Sequence, residues 1–531
     1  MFLKRMELKG VIQHYHDAVL PLSRREVAGF LTRIKASEHE LTSVDRDILG
    51  DYLVEFQYDI GGTTDQYYSF LDFPDTSIGS ISGSFLSEKE KFLYAYADSN
   101  TSFFVDGLLT LDARRHSGDT LDGAHAEFVQ FGGRIRGTVY HRIGYYLQGT
   151  NAQFWGSREL LGRDKQISQA YTLGILNAKN FDVVEGYVRY DADILSLQVG
   201  RERTLWGNGY GDKLTLSDSI RVFDFIRADA QYKSLKYTFL HGWLLGKKTN
   251  LVYDTTNHFV EPVVADKYFA AHRLEFSFPA VFDIGFQEMA IYSNRSVDLA
   301  YLNPVTLIES AQRSREERDN VFWEFDVQLH RWNNFELQAS ILFDDINFPK
   351  WGSNSWENRY AYQIGAMVVD PLQISNTAVA AEYTRIEPYT FSHNRSRDND
   401  YGSLGRFLGH HIGPNADSWY FRVDCQPTRK LRTSVDVEIV REGNNIYDAS
   451  GNLVKNVGGD YLVPHRTIDS EQKEFLGGDF VKTYISKISL AYEMVNEVFV
   501  DFHYEYRQRN DSELRTLTTD HDIGIALRVD F

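Results

Sequence analysis

The sequence is poor in cysteine and proline and contains no long hydrophobic run. A single cysteine, Cys425, among 531 residues excludes a disulfide framework and any metal site built from several thiolates. No segment approaches the roughly 18 consecutive apolar residues of a membrane-spanning helix, and the mean hydropathy is negative. With only 11 prolines and 14% aromatic residues, the composition is that of a folded chain without spanning helices.

Positive charge is also scarce, because 56 Lys and Arg stand against 74 Asp and Glu, which gives a net charge of −18. Nucleic-acid binding requires clustered basic residues, and no such cluster occurs, so we expect no nucleic-acid partner. The sequence contains no Gly-Xaa-Ser-Xaa-Gly elbow, phosphate-binding loop or dinucleotide fingerprint, so we expect no cofactor and no catalytic residues. Abundant carboxylates leave a hydrolase as a minor alternative.

The start of the chain has the pattern of short amphipathic helices. Capping boxes begin at Ser23 and Thr42, and apolar residues follow each at helical spacing. A segment of this size forms only a marginal core, so we expect a helical domain over 1–60 that docks on the rest of the chain, followed by a connector or plug over 61–100. The first residues contain no apolar core or cleavage site, so we expect that a signal peptide is absent from this chain.

From residue 101 to 531, apolar and polar residues alternate, as in strands that have one apolar face. Near the end, for example, Ile523, Ile525, Leu527 and Val529 alternate with small or charged residues. Eighteen such runs occur, at 101–112, 125–132, 134–149, 181–190, 194–201, 224–232, 235–244, 268–278, 282–292, 322–330, 335–344, 360–369, 376–386, 417–425, 431–439, 481–493, 498–507 and 522–531. Twenty strands remain an alternative, because 52–60 and 90–97 also tolerate a strand.

The connections between these runs alternate in length, which is the more informative signal. Short links fall at 191–193, 331–334, 370–372, 426–428 and 496–497. Long links fall at about 150–180, 202–223, 245–267, 293–320, 345–359, 387–416, 442–480 and 509–520. A soluble sandwich has no reason to keep its short turns at one end, whereas a transmembrane barrel has short periplasmic turns and long external loops. We therefore predict an all-β protein, an outer-membrane antiparallel β-barrel of about 18 strands, with the helical domain in the periplasm.

A barrel also accounts for the 75 aromatic residues, namely 35 Phe, 32 Tyr and 8 Trp. Outward residues meet lipid, and aromatic residues near strand ends form interfacial girdles, so we expect an apolar cover on the wall without a hydrophobic core beneath it. Inward residues are charged because the lumen is wet or holds a plug. The partners expected on these grounds are outer-membrane lipid and lipopolysaccharide, together with the barrel insertion machinery, which would contact the C-terminal strand ending in Phe531.

One segment and three shorter pieces resemble the Wzi-like capsule assembly proteins. The segment is Gly200-Arg201-Glu202-Arg203-Thr204-Leu205-Trp206-Gly207-Asn208-Gly209-Tyr210, followed by Leu214-Thr215-Leu216-Ser217. The pieces are Ala271-His272-Arg273-Leu274-Glu275, Gln287-Glu288-Met289-Ala290-Ile291-Tyr292 and Tyr301-Leu302-Asn303-Pro304. The resemblance implies an 18-stranded outer-membrane barrel that binds capsular or exopolysaccharide and anchors it to the cell, in a lectin-like and non-catalytic manner. The matches thin out over the long loops 387–416 and 442–480, where glycan specificity is expected.

Sugar binding requires flat apolar surfaces and planar polar groups, and arginine provides the latter better than lysine. Arg201, Arg203, Trp206 and Tyr210 offer both kinds, so we predict glycan contact there; an equally favoured interpretation is a rigid loop folded into the barrel mouth, with its arginines paired to carboxylates. The three shorter pieces of the resemblance add Arg273, Glu288 and Tyr301 to the candidate set. Trp351 and Trp356 are a glycan platform or, as we favour, part of the outer aromatic girdle.

The remaining signals are weaker. The loop at 293–320 predicts a short helix folded into the pore, which would narrow it. Asp398-Asn399-Asp400 begins like a calcium loop, but Gly409 stands where the twelfth-position glutamate is required, so a helix-loop-helix calcium site is not predicted; an irregular cation site in this acidic loop is a minor alternative. His410-His411 and the His14 and His16 pair lack companion ligands at useful spacing. A porin-type or substrate-specific channel is the alternative to glycan binding.

Overall fold

The computed structural model describes residues 1–71, 86–164, 167–169, 179–220, 222–254, 259–393 and 398–531. Parts of the predicted connector and of the predicted loops at 150–180, 202–223, 245–267 and 387–416 therefore lie outside the described residues. Within the described ranges, no helix has both the length and the apolar character needed to cross a membrane.

The helices are short and gather mostly at the start of the chain. They are α1 (Phe2–Leu8), α2 (Arg24–Ala36), α3 (Ser43–Glu55), α4 (Gln57–Gly61), α5 (Arg158–Gly162), α6 (Leu299–Leu302) and α7 (Ile308–Ser314), with single 3-10 turns at Glu38–Glu40, Ile167–Gln169, Phe348–Lys350 and Pro371–Gln373. Ser23 and Glu26 form the reciprocal capping box of α2. The Thr42 side chain accepts the backbone N–H of Asp45 at the start of α3. Both predicted helix starts are thus confirmed.

Eighteen long strands of the described chain form a closed antiparallel barrel. They are β1 (Thr101–Gly118), β2 (His125–Val139), β3 (Ile143–Gly156), β4 (Asn180–Ala192), β5 (Leu195–Glu202), β6 (Phe223–Tyr232), β7 (Leu235–Asp254), β8 (Phe259–Phe278), β9 (Phe282–Ser293), β10 (Asn320–Trp332), β11 (Phe335–Asp345), β12 (Arg359–Val369), β13 (Thr377–Ile386), β14 (Ala416–Thr428), β15 (Leu431–Asn444), β16 (Asp479–Val495), β17 (Val498–Asp511) and β18 (Thr516–Asp530). Each strand pairs with its neighbour in sequence, and β18 pairs with β1 from Asp520↔Gly118 to Asp530↔Leu108. The predicted barrel of about 18 strands is confirmed.

Short strands lie outside this closed ring. Tyr94–Ala97 pairs with the start of β1, and Tyr67–Ser69 pairs with Glu90–Phe92 in parallel. The other short pairs are Val19–Leu20 with Leu205–Trp206, Gly402–Ser403 with Arg406–Phe407, and Ile446–Tyr447 with Leu453–Lys455. The twenty-strand alternative is therefore wrong, because 52–60 is helical and 90–97 forms only short accessory strands.

Several predicted boundaries differ from the structure. The second and third strands meet at Tyr140 and His141, which have positive φ, and not at residue 133, between the predicted runs 125–132 and 134–149. The link predicted at 245–267 is an extended hairpin, because β7 and β8 pair as far as Asp254↔Phe259. The link predicted at 509–520 is short, since β17 and β18 pair up to Asp511↔Thr516. Alternation is weak in these segments, so the pattern did not reveal their pairing.

The wall alternates between an apolar outer face and a polar inner face. On β5, Leu195, Leu197 and Val199 are exposed on the outside, whereas Ser196 and Gln198 are buried on the inside. The same alternation places an almost purely apolar groove of about 900 Å³ on the outside of the wall. Its lining side chains include Leu274, Phe276, Phe278, Ile284, Phe286, Phe325, Ile341, Tyr362 and Ile364. This outer surface is suited to lipid.

A hydrophobic core fills the lumen beside β6 to β15, which corrects the expectation of a wall without a core beneath it. The segment after β5 contributes Trp206, Leu214, Leu216 and Ile220, the segment after β13 contributes Phe391, Tyr401, Leu408 and Ile412, and the wall contributes Phe225, Phe269, Met289 and Phe322. These two connections are far longer than a turn requires, and their apolar residues are removed from water by folding inward. The lumen is therefore plugged by its own loops in this half.

The helical domain docks on the short-turn end of the barrel. Its own core includes Met6, Leu31, Ile34, Ile48 and Leu49. Three contacts tie it to successive turns: the Asn334 N–H donates to the Leu8 carbonyl at 2.7 Å, Lys9 Nζ lies 2.8 Å from Asp370, and Arg429 lies 2.6 Å from Asp51. Lys4 reaches into the lumen, where its Nζ lies 2.7 Å from Glu336. This domain thus closes the end opposite the long loops.

Candidate functional site

The family-like segment that follows β5 turns back into the lumen. Arg201, still on the strand, points outward with about half of its side chain exposed, 3.7 Å from Asp224. The chain then forms a two-residue ladder in which Trp206 pairs with Val19 of the N-terminal segment on one side and Leu216 on the other. Arg203 is half-buried and lies in electrostatic range of Glu185 on the inner wall. The segment is therefore a folded inner loop, and only Arg201 lies on the outside of the barrel.

Trp206 and Arg273 belong to one buried network inside the lumen. The Trp206 indole N–H donates to the side-chain oxygen of Gln287. Gln287 also accepts a hydrogen bond from Arg273 at 3.1 Å, and the Arg273 guanidinium donates two more to Asp326, at 2.6 and 2.9 Å. Glu324 receives the Gln287 amide at 2.5 Å. Trp206 has no exposed surface and Arg273 is 1% exposed, so neither presents a face to an external sugar.

Tyr210 attaches the end of the same inner loop to the wall at β11 and β13. Its hydroxyl donates to Glu336 at 2.8 Å, and its backbone N–H donates to Glu382 at 2.7 Å. Its ring lies against Gly365 of β12, where a Cβ would come within 2.9 Å of the ring. Tyr210 thus acts as a fixed part of the plug.

Glu288 and Tyr301 lie on the other side of the wall. Residues 294–319 pack on the outer face near the long-loop end, where Tyr301, Ile308 and Ala311 cover the outward side chains of β8 and β9. The Glu288 carboxylate accepts the N–H groups of Ile308 and Glu309, at 2.7 and 2.8 Å, and so caps the start of α7. The prediction of a helix folded into the pore is wrong, because the apolar side of this segment matches an apolar patch outside.

The two candidate tryptophans of the loop after β11 have different surroundings. Trp351 is 52% exposed, and its ring centroid lies 5.6 Å from that of Tyr360 on the outer rim, which is the position of a girdle residue. Trp356 instead joins the external loops. Its indole stacks on His465 with ring centroids 3.9 Å apart and parallel planes, and its N–H donates to Glu471 at 3.1 Å.

Three external loops converge around Trp356. Tyr389, from the loop after β13, lies 5.3 Å from the His465 ring in an edge-on arrangement. Its N–H and hydroxyl donate to the carbonyls of Gly458 and Asn456, at 2.9 and 3.0 Å. We call Trp356, Tyr389, His465 and Glu471 the external aromatic cluster. Sequence reasoning identified only Trp356 of these four, because its partners belong to two other loops, between 33 residues (Tyr389) and 115 residues (Glu471) further along the chain.

A lysine side chain lies between the carboxylates of the acidic segment near residue 398. Lys267 of β8 is buried, and its Nζ lies 2.8 Å from Asp400 and 3.4 Å from Asp398. The ammonium group therefore takes the position that a cation would take between these carboxylates. The N–H of Lys247 also donates to Asp398, at 2.8 Å. These contacts give Asp398 and Asp400 a structural role within the plug.

The paired histidines do have companions, which corrects the expectation from spacing. His411 lies between two carboxylates, with Nδ1 2.8 Å from Asp212 and Nε2 3.0 Å from Glu438. Asp212, His410 and His411 could bring ligand atoms within 4.8 Å of one another, as could Glu7, Asp283 and His330. Because both ring nitrogens of His411 already meet carboxylates, an imidazolium ion pair accounts for this site.

Comparison with known proteins places the chain in a family. The family model described as "Capsule assembly protein Wzi" matches residues 112–465, which is more than half of the chain. No curated protein matches the chain. Among solved structures, the chain is similar to Wzi from Escherichia coli, described as an outer membrane protein involved in group 1 capsule assembly and a carbohydrate-binding β-barrel. That match has 11% identity and a TM-score of 0.55, and covers 99% of this chain and 96% of the other.

Weaker similarity extends to two Pseudomonas aeruginosa proteins. OccK5 (OpdH) matches with 10% identity and a TM-score of 0.42, over 80% of this chain and 98% of the other. OprD matches with 8% identity and a TM-score of 0.43, over 81% of this chain and 95% of the other. The Escherichia coli match supports the fold, and the family match covers the inner loop, its buried network and, of the external aromatic cluster, every residue except Glu471. The chain therefore belongs to the Wzi capsule assembly protein family.

Proposed function

We propose that this protein is an outer-membrane barrel that binds surface polysaccharide and helps to assemble or anchor capsule or exopolysaccharide, without catalysing a reaction. The observation that carries the proposal is the external aromatic cluster, which joins three long loops into one surface. Family membership and the carbohydrate binding described for the Escherichia coli protein agree with it.

The chemistry of the external aromatic cluster suits a sugar. His465 covers one face of the Trp356 indole, and the opposite face is the flat apolar surface proposed to meet the CH groups of a pyranose ring. Glu471 is an acceptor beside that ring, and the Arg466 and Asp469 pair, 2.8 Å apart, supplies further polar groups nearby. The loops are held by contacts such as Lys473 Nζ to Glu387, 2.9 Å apart. A binding site that is ordered before the sugar arrives loses less conformational entropy when the sugar binds.

The filled lumen favours binding over the channel alternative. Two connections enter the lumen and bury large apolar side chains there, among them Trp206 and Phe391. Packing of this kind is expected in a plug and not in a water-filled pore. We therefore assign the long loops to the cell exterior and the helical domain to the periplasm, with lipopolysaccharide against the outer apolar face. The last strand, which ends at Phe531, is proposed to contact the insertion machinery.

A pull-down with native surface polysaccharide tests the proposal. Trp356→Ala should lower retention of the labelled polysaccharide about tenfold, since it removes the stacking surface. Trp351→Ala is the matched control, because it also removes an indole from the same loop but on the outer rim; it should bind as the unmodified protein does. Equal retention by both variants would remove the external aromatic cluster from the site.

A further inference from the structure

A cavity lies at the short-turn end of the molecule, between the helical domain and the inner wall of β2 to β5. Its volume is about 660 Å³, within the range of small-molecule sites. Arg24, Glu55 and Asp59 of the helical domain line its floor, and Tyr146 and Tyr187 line its wall. It lies in the half of the lumen that the hydrophobic core leaves free. We call it the inner chamber.

The wall of the inner chamber carries a flat aromatic patch. Strand register places Arg136, Tyr146, Tyr187 and Gly200 in one row across β2 to β5, all on the inward face. The rings of Tyr146 and Tyr187 are stacked, with centroids 5.3 Å apart and planes at 13°. A Cβ at Gly200 would come within 2.4 Å of the Tyr187 Cβ, so only glycine leaves room for this tyrosine.

Hydrogen-bonding side chains border the aromatic patch on both sides. The next inward row towards the short turns is Thr138, Gly144, Arg189 and Gln198, and the row on the other side is Arg134, Gln148 and Glu185. A Cβ at Gly144 would meet no atom within 4 Å, so this row opens into free space. The two rings thus lie between two polar rows, each of which contains an arginine donor and at least one acceptor oxygen.

The charges of these rows indicate which ligand fits. Arg134 is paired with Asp106 at 2.6 Å, and Arg189 with Asp191 at 3.0 Å. Glu185 lies in electrostatic range of Arg203. Because these guanidinium groups already face protein carboxylates, they are not available to a negatively charged ligand, whereas the carboxylate oxygens still accept hydrogen bonds from hydroxyl groups. The patch therefore suits a ligand rich in hydroxyl groups and without negative charge.

We propose that the inner chamber is a second carbohydrate-binding site, which takes a short, uncharged oligosaccharide with one sugar ring packed against the stacked pair of Tyr146 and Tyr187. It faces the short-turn end and is separate from the external aromatic cluster. The inference rests on the proposed carbohydrate-binding function for its ligand class, and on the aromatic patch and its polar borders for its location. A lumen that contained only water would not require the stacked Tyr146 and Tyr187 rings on its wall, or the glycines Gly200 and Gly144 in two neighbouring rows.

Calorimetry on the full-length protein in a detergent without sugar groups tests the proposal. The probe is a set of uncharged di- to tetrasaccharides released from the native surface polysaccharide by partial hydrolysis. Tyr187→Ala should weaken binding about tenfold, and Tyr187→Phe should retain it. Gly144→Leu should also weaken binding, because it fills the open row without removing a contact. Tyr232→Ala is the control, since this tyrosine lies on the outer face and is largely exposed.

The outcomes separate this proposal from the function proposed above. Binding of the fragments that persists in Trp356→Ala and falls in both Tyr187→Ala and Gly144→Leu supports the inner chamber. Fragment binding that disappears only in Trp356→Ala, or absence of fragment binding by a protein that still retains the intact polysaccharide, overturns it. Gly144→Leu removes no contact from the wall. If Tyr187→Ala fails to fold, fragment binding by Gly144→Leu therefore still tests the proposal.

Discussion

The indole N–H of Trp206 donates its hydrogen bond to the side chain of Gln287 across the interior of the barrel. Both residues belong to pieces that carry the family resemblance, and the structure joins them within one buried network. The segment from Arg203 to Tyr210 therefore holds the plug in place, and the interpretation as a folded loop accounts for its tryptophan. Sugar contact is better assigned to residues that reach the external surface.

Trp206→Ala should destabilise the barrel by about 3–5 kcal/mol, because it leaves a cavity in the hydrophobic core of the lumen and removes one of the two hydrogen bonds that the Gln287 oxygen accepts. Urea titration of the folded protein in detergent micelles measures this loss. The control is Trp351→Ala, which removes a largely exposed indole and should change stability by about 0.5 kcal/mol or less. Similar losses in the two variants would show that Trp206 does not hold the plug.

Arg273→Ala should cost about 3–5 kcal/mol, because it leaves the Asp326 carboxylate buried without its partner. Arg201→Ala is the matched arginine control: its ion pair with Asp224 is exposed and long, so the expected loss is about 0.5 kcal/mol or less. The same urea titration compares them. An Arg273→Ala variant as stable as Arg201→Ala would contradict the buried network.

The pH dependence of stability should reveal the carboxyl pair at the short-turn end. Glu497, in the turn between β16 and β17, accepts the Lys91 N–H at 2.8 Å, and burial together with the nearby Glu90 carboxyl raises its pKa well above the usual range. The folded state then holds a proton that the unfolded state releases above about pH 4.3, so this group lowers stability as pH rises from there. The slope is at most about 1.4 kcal/mol per pH unit for one group.

Glu497→Gln should remove this slope and raise stability at pH 8 more than at pH 5, because the amide resembles the protonated acid. Glu513→Gln, a change at an exposed residue, is the control and should leave the profile unchanged. Urea midpoints measured from pH 5 to pH 9 give the comparison. A Glu497→Gln variant that loses stability at pH 8 would show that the carboxylate form is the one that the fold requires.

The wall of the barrel was readable from sequence because each strand alternates between lipid and lumen, as Leu195 to Val199 do on β5. The helix starts were readable because Ser23 and Thr42 cap their helices locally. Both signals depend only on residues close in the chain. They therefore gave the fold class and the strand number, and failed where alternation is weak, as between β2 and β3.

The sequence did not predict whether a long connection folds into the barrel or packs on its outer face. The apolar residues of the loop with Phe391 and those of the loop with Tyr301 look alike in sequence, yet the first loop packs inside the barrel and the second outside. The external aromatic cluster could not be predicted from the sequence for the same reason. Trp356 and Glu471 are 115 residues apart, and only the closed barrel brings their loops together.

Conductance across a planar bilayer separates the plugged barrel from the channel alternative. The unmodified protein should give no steady open-pore current, because the loops that carry Trp206 and Phe391 fill one half of the lumen and the helical domain closes the short-turn end. A large, steady conductance from the purified protein would favour a diffusion channel.

The central claim is that the protein captures surface polysaccharide through the external aromatic cluster, and an equilibrium titration tests it most directly. Fluorescently labelled native polysaccharide would be titrated with the purified protein in sugar-free micelles, alongside Trp356→Ala and Trp351→Ala. The account predicts saturable binding that weakens about tenfold in Trp356→Ala and is unchanged in Trp351→Ala. Absence of saturable binding by the unmodified protein, or equal affinity in all three, would contradict it.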